Sequence, residues 1–190
     1  MMDGVIEDRV FEGVDFRHSP LEPGVYDGCS FVRCLFGGTD LSLRTFRECT
    51  FRGCDCSLAV VDGASFQETS FIGCRLQGVQ FARCRRVMLS FSFEECMLRL
   101  ASFAGLKIRA TRFVRSLLEE ADFSEADLRG ACFDDCDLSR ATFMHTNLER
   151  ADFRTSRGYA FSPESNRIRG ARFSVPEVVS LLDGYGIEIE

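Results

Sequence analysis

The chain has 190 residues, with 10 Cys, 19 Phe and no Trp, and its formal net charge is −6. That length fits one domain or two small ones. The acidic balance argues against a simple nucleic-acid binder, which carries a basic face, and no stretch approaches the ~20 apolar residues of a membrane span.

Residues 1–10 carry Asp3, Glu7 and Asp8 and no apolar run. They do not read as a signal peptide, and a cytoplasmic protein is expected. From Phe11 a large apolar residue recurs at every fifth position: Phe11, Phe16, Leu21, Tyr26, Phe31, Phe36, and onward to Phe81. A helix repeats near 3.6 and a strand at 2, so period five fits neither and marks a repeat architecture. Two positions before most centres, and before each one from Phe113 to Phe153, sits a small residue. Cys29, Cys34, Cys49, Cys54, Cys74, Cys84, Cys96 and Cys136 all fall in that slot, where other repeats place Ala, Ser, Thr or Val. They read as small core residues rather than as a disulfide framework or a metal set. Pro20 and Pro23 remove backbone donors and weaken the pattern over 19–24.

The next slot holds Arg86, a charge where a core residue belongs. The beat then resumes on Phe93, two residues late, so the chain must bulge over 83–92, with Arg85, Arg86 and Met88 on the excursion. From Phe113 to Phe153 the centres alternate strictly between Phe and Leu. A four-sided coil explains this, with Phe on two opposite sides and equivalent positions twenty residues apart. Charges twenty apart should then meet, as Arg99 with Glu119, Glu120 with Arg140, and Glu95 with Arg115. After an irregular stretch over 155–165, Ile168 and Phe173 are the last clear beats.

Ser174, Pro176 and Glu177 form a capping-box pattern ahead of an apolar stripe. They predict a short helix from about Val175 to Asp183, stopped by Gly184. Ile187 and Ile189 alternate with acids as in a short strand. The helix either caps the open end of the stack, joins a second copy, or does both. The organisation is therefore an N-terminal segment (1–10), a repeat coil (11–173) and a C-terminal helix and tail (174–190). No grouping suggests an enzyme. His18 and His145 stand alone, and the adjacent acid pairs are neighbouring outward slots. No catalytic residue, metal or cofactor is expected.

Motifs such as Ala121-Asp122-Phe123-Ser124-Glu125 and Ala126-Asp127-Leu128-Arg129-Gly130 resemble the pentapeptide-repeat proteins, over nearly the whole of 11–173. The resemblance implies an all-β solenoid, a right-handed quadrilateral β-helix. The tail, Asn166 to Glu177 followed by Val178–Leu182, resembles the topoisomerase-protecting branch. That branch includes the Qnr quinolone-resistance proteins, MfpA, and the microcin and albicidin immunity proteins. The resemblance implies a homodimer through the C-terminal helix, with an interface of Phe173, Val178, Val179, Leu181 and Leu182. It implies a DNA-mimicking rod that engages DNA gyrase, a type II topoisomerase, and protects it from a poison, with no direct nucleic-acid contact and no membrane. Only a two-residue slip stands where Qnr proteins have two long loops, so this chain resembles the immunity proteins more.

Between Glu119 and Asp152 ten acids face three Arg. Glu119, Glu120, Asp122, Glu125, Asp127, Asp134, Asp135 and Asp137 are the candidate gyrase-binding surface, since a basic DNA-binding saddle attracts acids at long range. The alternative is a repeat scaffold with another partner, in which these acids only keep the rod soluble.

Overall fold

A computed structural model of the chain describes residues 4–188. The backbone winds into a parallel β-solenoid with four sides, a quadrilateral β-helix. On the first side lie β2 (Val10–Glu12), β4 (Ser30–Val32), β6 (Thr50–Arg52), β8 (Thr69–Ile72), β9 (Phe91–Glu94), β10 (Arg112–Val114) and β11 (Cys132–Asp134), which form one seven-stranded parallel sheet. On the fourth side β1 (Val5–Glu7), β3 (Val25–Asp27), β5 (Thr45–Arg47) and β7 (Ser65–Gln67) form a four-stranded one. Parallel bridges twenty residues apart, such as Asp122 with Thr142 and Asp127 with Asn147, complete the other sides. β1 pairs with β3 through Ile6 and Tyr26, so the coil begins ahead of Phe11. The beat does extend to Ile6, hidden among acids.

The five-residue period has a backbone cause. The second residue after most centres takes a left-handed conformation and turns the chain. Gly13, Gly28 and Gly130 do so at φ 63, 62 and 68°, but so do Arg115, Glu125 and Arg150 at 46, 59 and 61°. Left-handed φ costs an L-residue roughly 1–2 kcal/mol, which the stacked ladder must outweigh. Gly158 (φ 72°) is compulsory for another reason: a Cβ there would lie 2.4 Å from Ser139 Oγ and 3.0 Å from Ser139 N.

The centres fill the coil. Phe11, Phe31, Phe51 and Phe71 stack along the first side with ring centroids 4.6–5.0 Å apart, and the ladder continues through Phe93, Phe113, Phe133 and Phe153 to Phe173. On the opposite, third side Phe81, Phe103, Phe123 and Phe143 stack at 5.1 Å. The two ladders meet edge to face, as Phe113 with Phe123 at 5.8 Å and 83°, the arrangement the ring quadrupole favours. Leu98, Leu118 and Leu138 occupy the second side and Ile108, Leu128 and Leu148 the fourth, all buried.

All ten cysteines are free and nine are buried. Their slot does more than fill space. The thiols of Cys34, Cys54 and Cys74 each lie 3.3 Å from the carbonyl of the centre in the coil below, Phe11, Phe31 and Phe51. Thr146 Oγ1 donates likewise to Phe123 O at 2.9 Å, and Asn166 Nδ2 to Phe143 O at 2.9 Å. The slot therefore selects small residues, with a preference for those that carry a donor. Burial pushes the Cys49 and Cys136 thiols up to about 12, which keeps them protonated and unreactive.

At the proline-rich stretch, Arg44 Nη2 (2.6 Å) and Nε (3.1 Å) reach Leu21 O, and Tyr26 Oη donates to Glu22 O at 2.7 Å. Side chains thus satisfy carbonyls beside two prolines that cannot donate.

The C-terminal helix is a 3-10 helix over Glu177–Tyr185, flanked by Pro176 and by Gly186 at φ 62°. It starts and stops two residues later than the sequence predicts. Ser174 does not cap it: its hydroxyl donates to Arg154 O in the coil below. Gly184 lies inside the helix, Ile187 is in no strand, and Ile189 falls outside the described residues.

Candidate interaction surface

Outward residues are sorted onto four sides by the twenty-residue register. The eight candidate acids do not form one surface; they make a belt around the coil. Asp134 and Asp135 lie on the first side, and Glu119, Glu120 and Asp137 on the second. Asp122 and Glu125 lie on the third side and Asp127 on the fourth. Sequence adjacency concealed this, because consecutive pentapeptides occupy successive sides.

Half of the eight are neutralised inside the rod. Arg99 reaches Glu119 at 3.7 Å and Glu120 at 2.9 Å, and Arg140 lies 2.8 Å from Glu120. Arg157 pairs with Asp137 at 3.2 Å. Arg109 and Arg129 share Asp127 at 2.8 and 2.9 Å. Glu120 is held below the usual carboxylate range by hydrogen bonds from Arg140 and then Arg99. The expected ladder of Glu95 and Arg115 is present at 3.0 Å, with Glu94 joining it. Solvent and salt screen such exposed pairs, so each contributes little to stability by itself.

Asp122, Glu125, Asp134 and Asp135 make no ion pair among the described residues. Asp122 Oδ1 accepts from the Ser124 amide at 2.9 Å, and Asp134 Oδ1 accepts from Thr155 Oγ1 at 2.9 Å. Asp122 and Glu125 belong to a longer feature that sequence adjacency missed. The third side also carries Asp40 and Asp62, against Arg83 alone, which lies 3.6 Å from Asp62. Reading every twentieth residue as one column would have found it.

The bulge is short. Arg85 N donates to Ala64 O at 2.8 Å and Ser90 N to Phe66 O at 2.9 Å, which pins both ends to the coil below. Between them Arg85, Arg86 and Met88 are exposed, Met88 at 72%. Phe91, in register over Thr69 in the slot two before centre Phe93, is buried, with its ring 5.4 Å from Phe81 and 5.0 Å from Phe93.

The five expected interface residues divide. Leu181 is buried, and Val178 and Phe173 pack against the core, with Phe173 stacked on Phe153 at 5.4 Å. Tyr159 and Phe161 join them in closing the end of the stack. Val179 and Leu182 stay exposed, together with Tyr185. In a 3-10 helix residues three apart eclipse, so Val179, Leu182 and Tyr185 line one outer edge while Val178 and Leu181 line an inner one.

Among the described residues no group of three His, Cys, Asp or Glu is placed to hold a metal ion, and no helix is long and apolar enough to cross a membrane.

Family models described as pentapeptide repeats (8 copies) and as a pentapeptide repeat region match residues 45–85 and 79–153, together more than half of the chain. No curated protein matches it. Among solved structures, a trypsin-treated form of QnrB1, a plasmid-mediated fluoroquinolone resistance protein, aligns with a TM-score of 0.72 at 18% identity, over 98% of this chain and 92% of that one. Full-length QnrB1 gives 0.64 at 17% identity, over 97% and 100%. At these identities the likeness is one of fold. With the period, the four-sided coil and the family models in agreement, this chain belongs to the pentapeptide-repeat family.

Proposed function

We propose that this chain is a DNA-mimicking rod that binds a type II topoisomerase, DNA gyrase, and protects it from a poison, giving resistance or self-immunity. It acts by binding, and catalyses nothing. The observation that carries this reading is the shape of the rod together with its C-terminal end. Phe11 to Phe173 make eight steps of the first-side ladder, about 38 Å at ~4.8 Å per step. The outer edge of the terminal helix, Val179, Leu182 and Tyr185, is apolar and exposed. Pairing two such ends would make a rod of roughly 75 Å and place the acidic belt toward its middle. The likeness to QnrB1 in fold supports the same reading.

The free carboxylates Asp122, Glu125, Asp134 and Asp135 are the contacts toward a basic saddle. The ion-paired Glu119, Glu120, Asp127 and Asp137 mainly hold the coil together. Reversing the four free acids to Lys is expected to weaken gyrase binding at least tenfold while thermal melting stays within a few degrees. A second reading, a scaffold with another partner, draws on the neutralisation of half the belt. Absence of gyrase binding by the unaltered chain would favour it.

A further inference from the structure

In its upper half the fourth side of the rod has the opposite sign from the third; below Lys107 its strands and turns carry Glu7, Asp8, Asp27, Glu48 and Glu68 against Arg47. From the coil of Lys107 upward its outward slots hold Lys107, Arg109, Arg129, Arg150, Arg167 and Arg169, against only Asp127 and Glu149. The bulge adds Arg85 at the lower end of the same side, while Arg86 reaches across toward the third side, its Nη2 within 3.3 Å of the point a Cβ on Gly105 would occupy. This is a local excess of positive charge on a chain whose net charge is −6.

Arg109 and Arg129 are occupied by Asp127. Lys107, Arg150, Arg167 and Arg169 have no carboxylate within ion-pair distance among the described residues. Five of the six cations are Arg, whose planar guanidinium pairs bidentately with phosphate. The other outward slots of this stretch are Ala110, Gly130, Asn147 and Gly170. The side therefore has no exposed aromatic on which a base could stack, which disfavours a single strand. It has no apolar centre of the kind a stable protein interface needs. Arg129, Arg150 and Arg169 instead line a groove together with Gly130, Gly170 and one carboxylate, Glu149.

We infer that this basic stripe binds the sugar–phosphate backbone of duplex DNA, without reading its sequence. The inference reverses the expectation of no direct nucleic-acid contact, which rested on the resemblance to DNA-mimicking proteins and on net charge, neither of which sees how charge is sorted by side. It goes beyond the topoisomerase reading and does not depend on it. A rod bound to an enzyme through its acidic third side would present this neighbouring side to DNA held nearby.

The test uses the full chain and no topoisomerase: fluorescence anisotropy of a labelled duplex of about 20 base pairs, titrated at salt from about 50 to 200 mM. Four to six phosphate contacts predict a log–log salt slope of about −4 to −5, at roughly −0.9 per phosphate. Arg150→Gln with Arg169→Gln should lower affinity about tenfold at the lowest salt and reduce the slope by about 2. The control pair Arg33→Gln and Arg52→Gln, on the first side, should change neither. No binding at the lowest salt, an unchanged slope in the stripe variant, or tighter binding of the corresponding single strand would each overturn the inference. So would a stripe variant that loses gyrase binding while the parent ignores DNA, because the stripe would then face a protein carboxylate surface.

Discussion

At the residue scale the pentapeptide is a division of labour among five slots, and two of them were legible from composition alone. A large centre and a small partner two residues earlier could be read directly, because burial constrains volume. The left-handed turn slot could not, since Arg115, Glu125 and Arg150 occupy it as readily as glycine does. Nor could the donor role of the small slot, because Ala serves there as well as Cys or Thr. Where donors and acceptors fail to match, the structure shows it. Tyr159 is fully buried, and its hydroxyl has no partner among the described residues, while burial raises its pKa. An unsatisfied buried hydroxyl costs about 1–3 kcal/mol. Tyr159→Phe is therefore expected to stabilise the protein by about 1 kcal/mol, measured by urea denaturation; a loss of stability would mean that the hydroxyl has a partner, such as an ordered water.

At the scale of elements, the sequence located the bulge by its broken beat but not its repair. In the fold Phe93 continues the ladder, while Phe91, in register over the small Thr69, buries its ring beside Phe81 and Phe93. Phe91→Ala should cost about 3–5 kcal/mol, as a large core truncation does. Met88→Ala, three residues away and 72% exposed, should cost less than about 0.5 kcal/mol. The terminal helix offers the same kind of contrast. Its apolar stripe could not say which residues face inward, because α-helical and 3-10 spacings turn different residues to one edge, and the helix is 3-10. With an inner edge of Val178 and Leu181 and an outer edge of Val179, Leu182 and Tyr185, capping and pairing use different residues. On the proposed end-to-end pairing, Val179→Asp with Leu182→Asp should convert the dimer to a monomer in sedimentation while leaving the melting transition cooperative. Leu181→Asp should instead lower stability, because that side chain closes the core.

At the scale of the whole molecule, function lies in how charge is distributed over a nearly uniform scaffold. The net charge suggested one acidic surface. The coil turns that linear run into a belt, neutralises half of it, and separates an acidic third side from a fourth that is basic in its upper half. The fold was legible because the period reports the core, which repeats. The surface was less so, because its message runs in columns of every twentieth residue, across the grain of the sequence. The most direct measurement is gyrase-mediated cleavage of supercoiled DNA trapped by a poison, with purified protein added in increasing amounts. The account predicts that linear DNA falls with added protein, and that the variant carrying Lys at 122, 125, 134 and 135 loses this effect while remaining folded. Undiminished cleavage at every protein concentration and with each poison class tried, together with no detectable binding to gyrase, would contradict it.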